Sequence, residues 1–166
     1  MVSPAGESGA RRSLRAAAWS VGLVVTALAL GQLATFPNLT PWYASLQKPA
    51  FNPPNEIFGP VWTALYALMA LALWRILRLP AATPMRTLAI VAFLVQLALN
   101  AAWSFLFFAA HNPLLGLFDI VPQLAAILVA IAAIWRVDRL AAVCLVPLAL
   151  WVAFASLLNF EIWRLN

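Results

Sequence analysis

The stretch Trp42–Tyr66, WYASLQKPAFNPPNEIFGPVWTALY, gathers Trp42, Tyr43, Phe51, Phe58, Trp62 and Tyr66 around Pro49, Pro53, Pro54 and Pro60. Aromatic rings offer flat apolar faces, some with a polar edge, so the chemistry they suit is recognition by stacking rather than bond making. Proline fixes φ and biases the residue before it toward extended conformations. As far as Pro54 the run therefore reads as an ordered, non-helical loop that holds its rings, Phe51 among them, in place. From Ile57 the pattern turns helical and sets Trp62 and Tyr66, four residues apart, on one face. A stiff aromatic loop leading into an aromatic helix face predicts one wall of a pocket for a flat, apolar molecule.

Three further groups carry polar or aromatic chemistry. Within QLALNAAWSFLFF, Asn100 and Trp103 share a helix face, with Phe107 one turn on. An amide in hydrocarbon needs a partner, so Asn100 is either glue to another helix or a donor inside a cavity. Trp151, Ala155 and Leu158 follow i, i+4, i+7 and define a second face, while Trp163 and Arg164 read as interface anchors. The run Leu158–Arg164 approaches the leucine–tyrosine–basic pattern proposed for cholesterol contact, with Phe160 at the tyrosine position. Asp119 is a carboxylate inside an apolar run, and such a group is a functional candidate. It stands only about 9 Å along a helix that begins at Pro113, so contact with interfacial water is the rival reading.

His111 is the sole histidine and stands beside Asn112-Pro113, which excludes bis-histidine haem ligation within one chain and fits a solvated turn. Cys144 is the sole cysteine, which excludes an internal disulfide and a cysteine-based zinc site, and its apolar setting reads as a packed thiol. Phosphate loops, metal-ligand clusters and nucleophile triads are missing from the sequence, so no metal is expected and the residues alone do not point to an enzyme.

The elements that must position these groups follow from composition. Hydrophobic residues make up 65% of the 166-residue chain and charged residues 9%, against roughly a quarter charged in soluble domains. The mean hydropathy is +0.94. These values describe an all-α membrane protein, a five-transmembrane-helix bundle with spans at about 16–36, 57–77, 85–110, 113–135 and 139–163. A disordered tail is expected over 1–15, a single membrane domain over 16–166 and the proline and aromatic loop over 37–56. A cleaved signal peptide ending near Ala27-Leu28-Ala29 is the rival reading of the start, but its apolar core would run only roughly 7–15 residues. An arginine- and serine-bearing start also fits an organelle transit peptide.

The net charge of +5 comes from residues that bracket the spans, so no nucleic-acid partner is expected. Arg11, Arg12, Arg15, Arg75, Arg78, Arg86, Arg136 and Arg139 fall on one side, Lys48 and Arg164 on the other. The positive-inside rule then places the amino terminus in the cytoplasm and the loop and carboxy terminus opposite. Five spans do not divide into two equal inverted halves, which counts against a repeat-built transporter. Ala18, Gly22, Ala27 and Gly31 have a small-residue spacing that suits either dimerisation or packing within the chain.

The blocks WY-xx-L-x-KP-x-F-N-PP, F-GP-VW-xx-LY, QLALN-xx-W-xxx-FF, P-xxx-W-xx-F and LNF-xxx-RLN, in this order from Trp42 to the end, resemble the TspO/MBR family of tryptophan-rich sensory proteins. The resemblance implies a five-helix bundle, usually dimeric, with a pocket that the first loop caps and that takes porphyrins, sterols and synthetic aromatic ligands. Carried over position by position, that pocket includes Trp42 and Tyr43 from the loop and Trp62 and Tyr66 from the second span. Asn100, Trp103 and Phe107 come from the third span, Trp151, Ala155 and Leu158 from the fifth. The family commonly has tryptophan where this chain has Phe51.

In this picture Trp62 and Trp151 stack on a porphyrin face and Asn100 and tryptophan N–H groups supply the polar contacts, while Lys48 either attracts the carboxylates or is a snorkelling loop lysine. The implied activity is that of a receptor or sensor which needs no cofactor beyond a porphyrin or haem-related tetrapyrrole as ligand. It would sit as a homodimer in a bacterial membrane rather than the mitochondrial outer membrane. Two alternatives stay open: light- and oxygen-dependent porphyrin degradation, with Trp62 and Trp151 as the reactive indoles, and transport of porphyrin or sterol.

Overall fold

The computed structural model describes residues 4–166, with side chains from Gly9 onward. In hydrocarbon a backbone must close its own hydrogen bonds, so each long apolar run folds as helix. Among the described residues five helices are long and apolar enough to cross a membrane: Gly9–Tyr43, Asn55–Leu77, Arg86–Ala109, Pro113–Trp135 and Arg139–Leu165. No strand occurs among the described residues. The chain is a multi-pass integral membrane protein.

Helix α1 is Pro4–Thr35, so from Pro4 onward the expected tail over 1–15 is replaced by helix, while residues 1–3 lie outside the described residues. Proline suits a first helical turn, and no other proline occurs before Pro37. The early turns are also docked, because the Trp74 indole Nε1–H donates to the Ser13 carbonyl at 3.3 Å. At about 1.5 Å per residue α1 is about 48 Å long, against about 30 Å of hydrocarbon. Its arginine-bearing end therefore extends to headgroup level.

After α1 the chain tightens through Phe36–Asn38 and widens through Leu39–Tyr43. This corrects the expectation of a wholly non-helical loop, because Trp42 and Tyr43 lie on a helical turn and extended chain begins only after Ser45. The Lys48 ammonium closes that turn, donating to the carbonyls of Tyr43 at 2.7 Å and Leu46 at 3.0 Å. The loop is also latched to the far end of the chain. Gln47 N–H donates to Asn166 Oδ1 at 2.9 Å, and Asn166 Nδ2 donates back to the Gln47 carbonyl at 3.0 Å.

Helix α2 is Asn55–Leu77, α3 is Arg86–Ser104 with a wider turn over Phe105–Ala109, and α4 is Pro113–Trp135. Asn112 caps α4, its Oδ1 accepting from Leu114 N–H and Leu115 N–H. The last span, expected as one run over 139–163, is broken into α5, Arg139–Val143, and α6, Val146–Leu165. Pro147 has no N–H to bond the carbonyl four residues back, which explains the break. The α4–α5 turn is held by Asp138, which accepts from Ala141 N–H at 3.0 Å and pairs with Arg75 at 3.0 Å.

Close helix packing runs in the order α2, α1, α3, α4, α6, with α5 against α2 and α4. The half nearest α5 is solid: Met69, Leu73, Ile76, Phe93, Ile134 and Leu148 are fully buried there. Buried Ala72, Ala89, Ala130, Ala141 and Ala142 let the backbones approach. Polarity is arranged inside out. Trp19, Leu33, Phe118 and Leu150 are about two-thirds exposed, while Ser20, Gln96, Asn100, Gln123 and Asn159 are buried. The small residues of α1 divide between the two environments. Ala27 is buried and Gly31 faces Ser104 Oγ across to α3, whereas Gly22 faces open space.

Candidate functional site

The half beneath the loop encloses a cavity of about 600 Å³, within the range of small-molecule sites. Its wall from α2 carries Phe58, Trp62 and Tyr66 at spacings of four, hence on one face. Helix α3 contributes Asn100, Trp103 and Phe107, and α6 contributes Trp151, Ala155, Leu158 and Asn159. Tyr43 from the helical turn closes the top and Gln123 of α4 adds an amide.

Side-chain hydrogen bonds fix the walls. Tyr66 O–H donates to Asn100 Oδ1 at 2.7 Å, joining α2 to α3. Trp103 Nε1–H donates to Asn159 Oδ1 at 3.0 Å, and Asn159 Nδ2 donates to the Pro113 carbonyl at 2.8 Å, joining α3, α6 and α4. Gly116 makes room for this clasp, since a Cβ there would lie 2.9 Å from both Asn159 Oδ1 and the Phe107 ring. Of the two readings of Asn100, the glue is therefore present in its carbonyl oxygen. Its Nδ2 is buried without a partner among the described residues, on a side chain that lines the cavity.

Rings make the remaining wall. Phe58 and Trp151 meet edge to face at 5.8 Å and bridge α2 and α6. Trp62 tilts against Tyr66 at 5.8 Å, and Trp103 stacks on Phe107 at 4.8 Å and 20°. Edge and tilted contacts leave ring faces uncovered, whereas the Trp103–Phe107 stack covers one face of each ring. The Trp103 N–H is used within the protein, which narrows the expectation that tryptophan N–H groups meet a ligand. Trp62 and Trp151 indole N–H groups make no hydrogen bond among the described residues.

Tyr43, Trp62, Tyr66, Asn100, Trp103, Phe107, Trp151, Ala155 and Leu158 all line this one cavity. Trp42 and Phe51 do not. On a helical turn consecutive residues point about 100° apart, so Tyr43 faces inward and Trp42 stacks on His111 at 4.7 Å and 13°. His111 also pairs with Asn38 Oδ1 at 2.6 Å. Trp42 thus clamps the loop to the α3–α4 turn, and His111 is a packed clamp residue as well as an exposed turn residue. Phe51 forms the outer layer of the lid, 51% exposed with its ring 6.3 Å from Phe154.

The sterol-like run does not form one surface. Leu158 is buried in the cavity wall, whereas Phe160 points outward and Arg164 pairs with Glu161 at 2.6 Å. Asp119 is buried, outside the cavity lining, and its Oδ2 has no partner among the described residues. Lys48 lies 4.5 Å from the centre of the Tyr43 ring, and partial burial lowers its pKa from the usual lysine value. Its two carbonyl bonds make it a brace of the lid.

Gln123, Asn159, Phe58 and the α1 face at Leu28, Gly31 and Thr35 also line the cavity but are missing from the sequence expectation. The two amides could have been found by the argument applied to Asn100, because each lies within an apolar span. In α1 only the small residues Ala27 and Gly31 hint at the inward face, and nothing marks Leu28 or Thr35.

The arrangement can sequester a flat apolar guest and offer it ring faces and a small number of amide contacts. Among the described residues it brings no carboxylate pair or nucleophile–base pair together at the cavity. The model of the TspO/MBR family matches residues 20–164. The chain is 39% identical over 157 residues to "Tryptophan-rich protein TspO" of Archaeoglobus fulgidus, covering 88% of this chain and 95% of that one. It is 42% identical over 125 residues to the protein of the same name from Chlorobaculum tepidum, covering 75% and 79%. It is 36% identical over 126 residues to "Translocator protein" of Homo sapiens, covering 75% of each.

Proposed function

The chain belongs to the TspO/MBR family, and from that premise we propose that it is a membrane receptor that holds a porphyrin or related tetrapyrrole, or a sterol, in the cavity beneath the first loop. The observation that carries this reading is the convergence of Trp62, Tyr66, Asn100, Trp103 and Trp151 on one cavity of about 600 Å³. Indole faces suit a flat conjugated ring, and unpaired Asn100 Nδ2 is a donor for a ligand acceptor. Titration of the purified protein with protoporphyrin, followed by the porphyrin's Soret absorbance, tests it. Trp62→Ala with Trp151→Ala should weaken binding at least about tenfold, and Ala155→Leu should weaken it by filling the space. Unchanged affinity in both variants would overturn the assignment.

A second reading, degradation of bound porphyrin under light and oxygen, is favoured by Trp62 and Trp151 lining the same space. Illumination with and without the protein separates the two readings: a porphyrin recovered intact at equal rates eliminates degradation.

The arginine-rich end supports a cytoplasmic amino terminus, with the first loop on the opposite side of the membrane. Ser45→Cys in a Cys144→Ser background should react with an impermeant thiol reagent on intact cells. Labelling only after lysis would reverse the orientation.

A further inference from the structure

At the end of the bundle opposite the cavity, Arg11, Arg12 and Arg15 of α1 meet Arg86 at the start of α3. They line a recess of about 470 Å³ together with Trp19 and Leu77. The recess is built from both sides. Arg86 Nε and Nη2 donate to the Ile76 and Leu77 carbonyls at 3.2 and 2.9 Å, fixing the guanidinium against the end of α2. The Trp74 bond to Ser13 holds α1 at the level of its arginines. No carboxylate lines the recess among the described residues. The neighbouring cations are otherwise engaged, Arg75 with Asp138 and Arg78 over the Trp74 ring at 4.8 Å.

Guanidinium groups crowded on one side of a helix repel one another unless an anion lies among them. The level of the recess identifies the anion. It sits where α2 ends and α3 begins, with Trp19, 68% exposed, on its hydrocarbon side. An exposed indole at that depth marks the boundary between headgroups and acyl chains. We propose that the recess binds the phosphate headgroup of an anionic phospholipid in the leaflet on that side, with an acyl chain lying along α1 past Trp19. Planar guanidinium forks match phosphate oxygens, and basic pockets between membrane helices are suited to such headgroups. Free phosphate shares the headgroup chemistry but makes no use of the apolar flank. The assignment is independent of what fills the cavity.

The test uses the full chain in detergent, equilibrated with equal amounts of phosphatidylglycerol and phosphatidylcholine, with retained lipid counted by native mass spectrometry. The wild-type protein should retain phosphatidylglycerol preferentially. R11Q/R12Q/R15Q should lose about a hundredfold in that affinity, and R15Q alone about fivefold, which keeps the test readable should the triple variant fail to fold. R136Q/R139Q removes two guanidinium groups elsewhere on the same end and should retain the lipid. Equal loss in that control would mean diffuse attraction and overturn the site. Unchanged retention in R15Q and the triple variant, or displacement of the lipid by inorganic phosphate, would also overturn it.

Discussion

Around Phe93 the bundle is solid and around Trp62 it is hollow, although the same helices build both levels. Helix α2 supplies Met69, Leu73 and Ile76 to the first and Phe58, Trp62 and Tyr66 to the second. In the solid half, alanines bring backbones together and flexible aliphatic chains fill what is left. In the hollow half, rigid rings meet edge to face, tilted or stacked, and amide clasps fix the helices that carry them. Space survives where the side chains are too stiff to collapse into it.

Truncation should expose this contrast most strongly. Phe93→Ala is expected to cost about 4 kcal/mol of stability in mixed-micelle unfolding. Trp62→Ala, beside space that is already open, should cost well under half of that while weakening ligand binding. Equal costs would break the comparison. Gly116→Ala drives a methyl group into Asn159 and Phe107 and should cost about 2 kcal/mol. It should also loosen the Trp103–Asn159 clasp, visible as a shifted indole N–H resonance.

The solid half also has a titratable tie. Burial alone would raise the Asp138 pKa, but the Ala141 N–H and the Arg75 guanidinium outweigh it and hold the carboxyl below its usual value. A folded pKa below the unfolded one adds stability above the unfolded value, about 4, and that stability is lost as pH falls through the folded value. Asp138→Asn should therefore cost about 1.5 kcal/mol at neutral pH and flatten this group's part of the stability profile below about pH 4. A variant with an unchanged acid profile would show that the tie carries no stability. The smallest effect expected is that of Tyr66→Phe, about 0.6 kcal/mol for one interhelical hydrogen bond. Its use is to sharpen the picture of the hollow half, because Asn100 Oδ1 then becomes available and should alter which ligands bind.

The two halves also differed in how far they could be read from sequence. Local signals placed the helices: Asn112-Pro113 and Arg136-Val137-Asp138 bracket α4, and the spacing of Trp62 with Tyr66 and of Trp151 with Ala155 gave the inward faces directly. Trp42 could not be resolved in this way, because the helical turn at Leu39–Tyr43 is tied down by His111 and Lys48, and Phe51 stands in a turn with no periodic spacing to set its direction. The α1 wall was illegible for a different reason. Leu28, Gly31 and Thr35 are ordinary residues whose role comes only from the neighbours they meet. The arginines were visible, but only as a charge bias; that they converge with Arg86 on one recess is a property of the fold.

The Gln47–Asn166 latch has a practical corollary for anyone handling this protein. Asn166 closes both polar groups of the Gln47 backbone, so a tag fused next to Asn166 would strain that closure and loosen the loop above the cavity. Moving the tag to the amino-terminal side relieves that closure and crowds the arginine recess instead, so each region is best measured with the tag at the end remote from it.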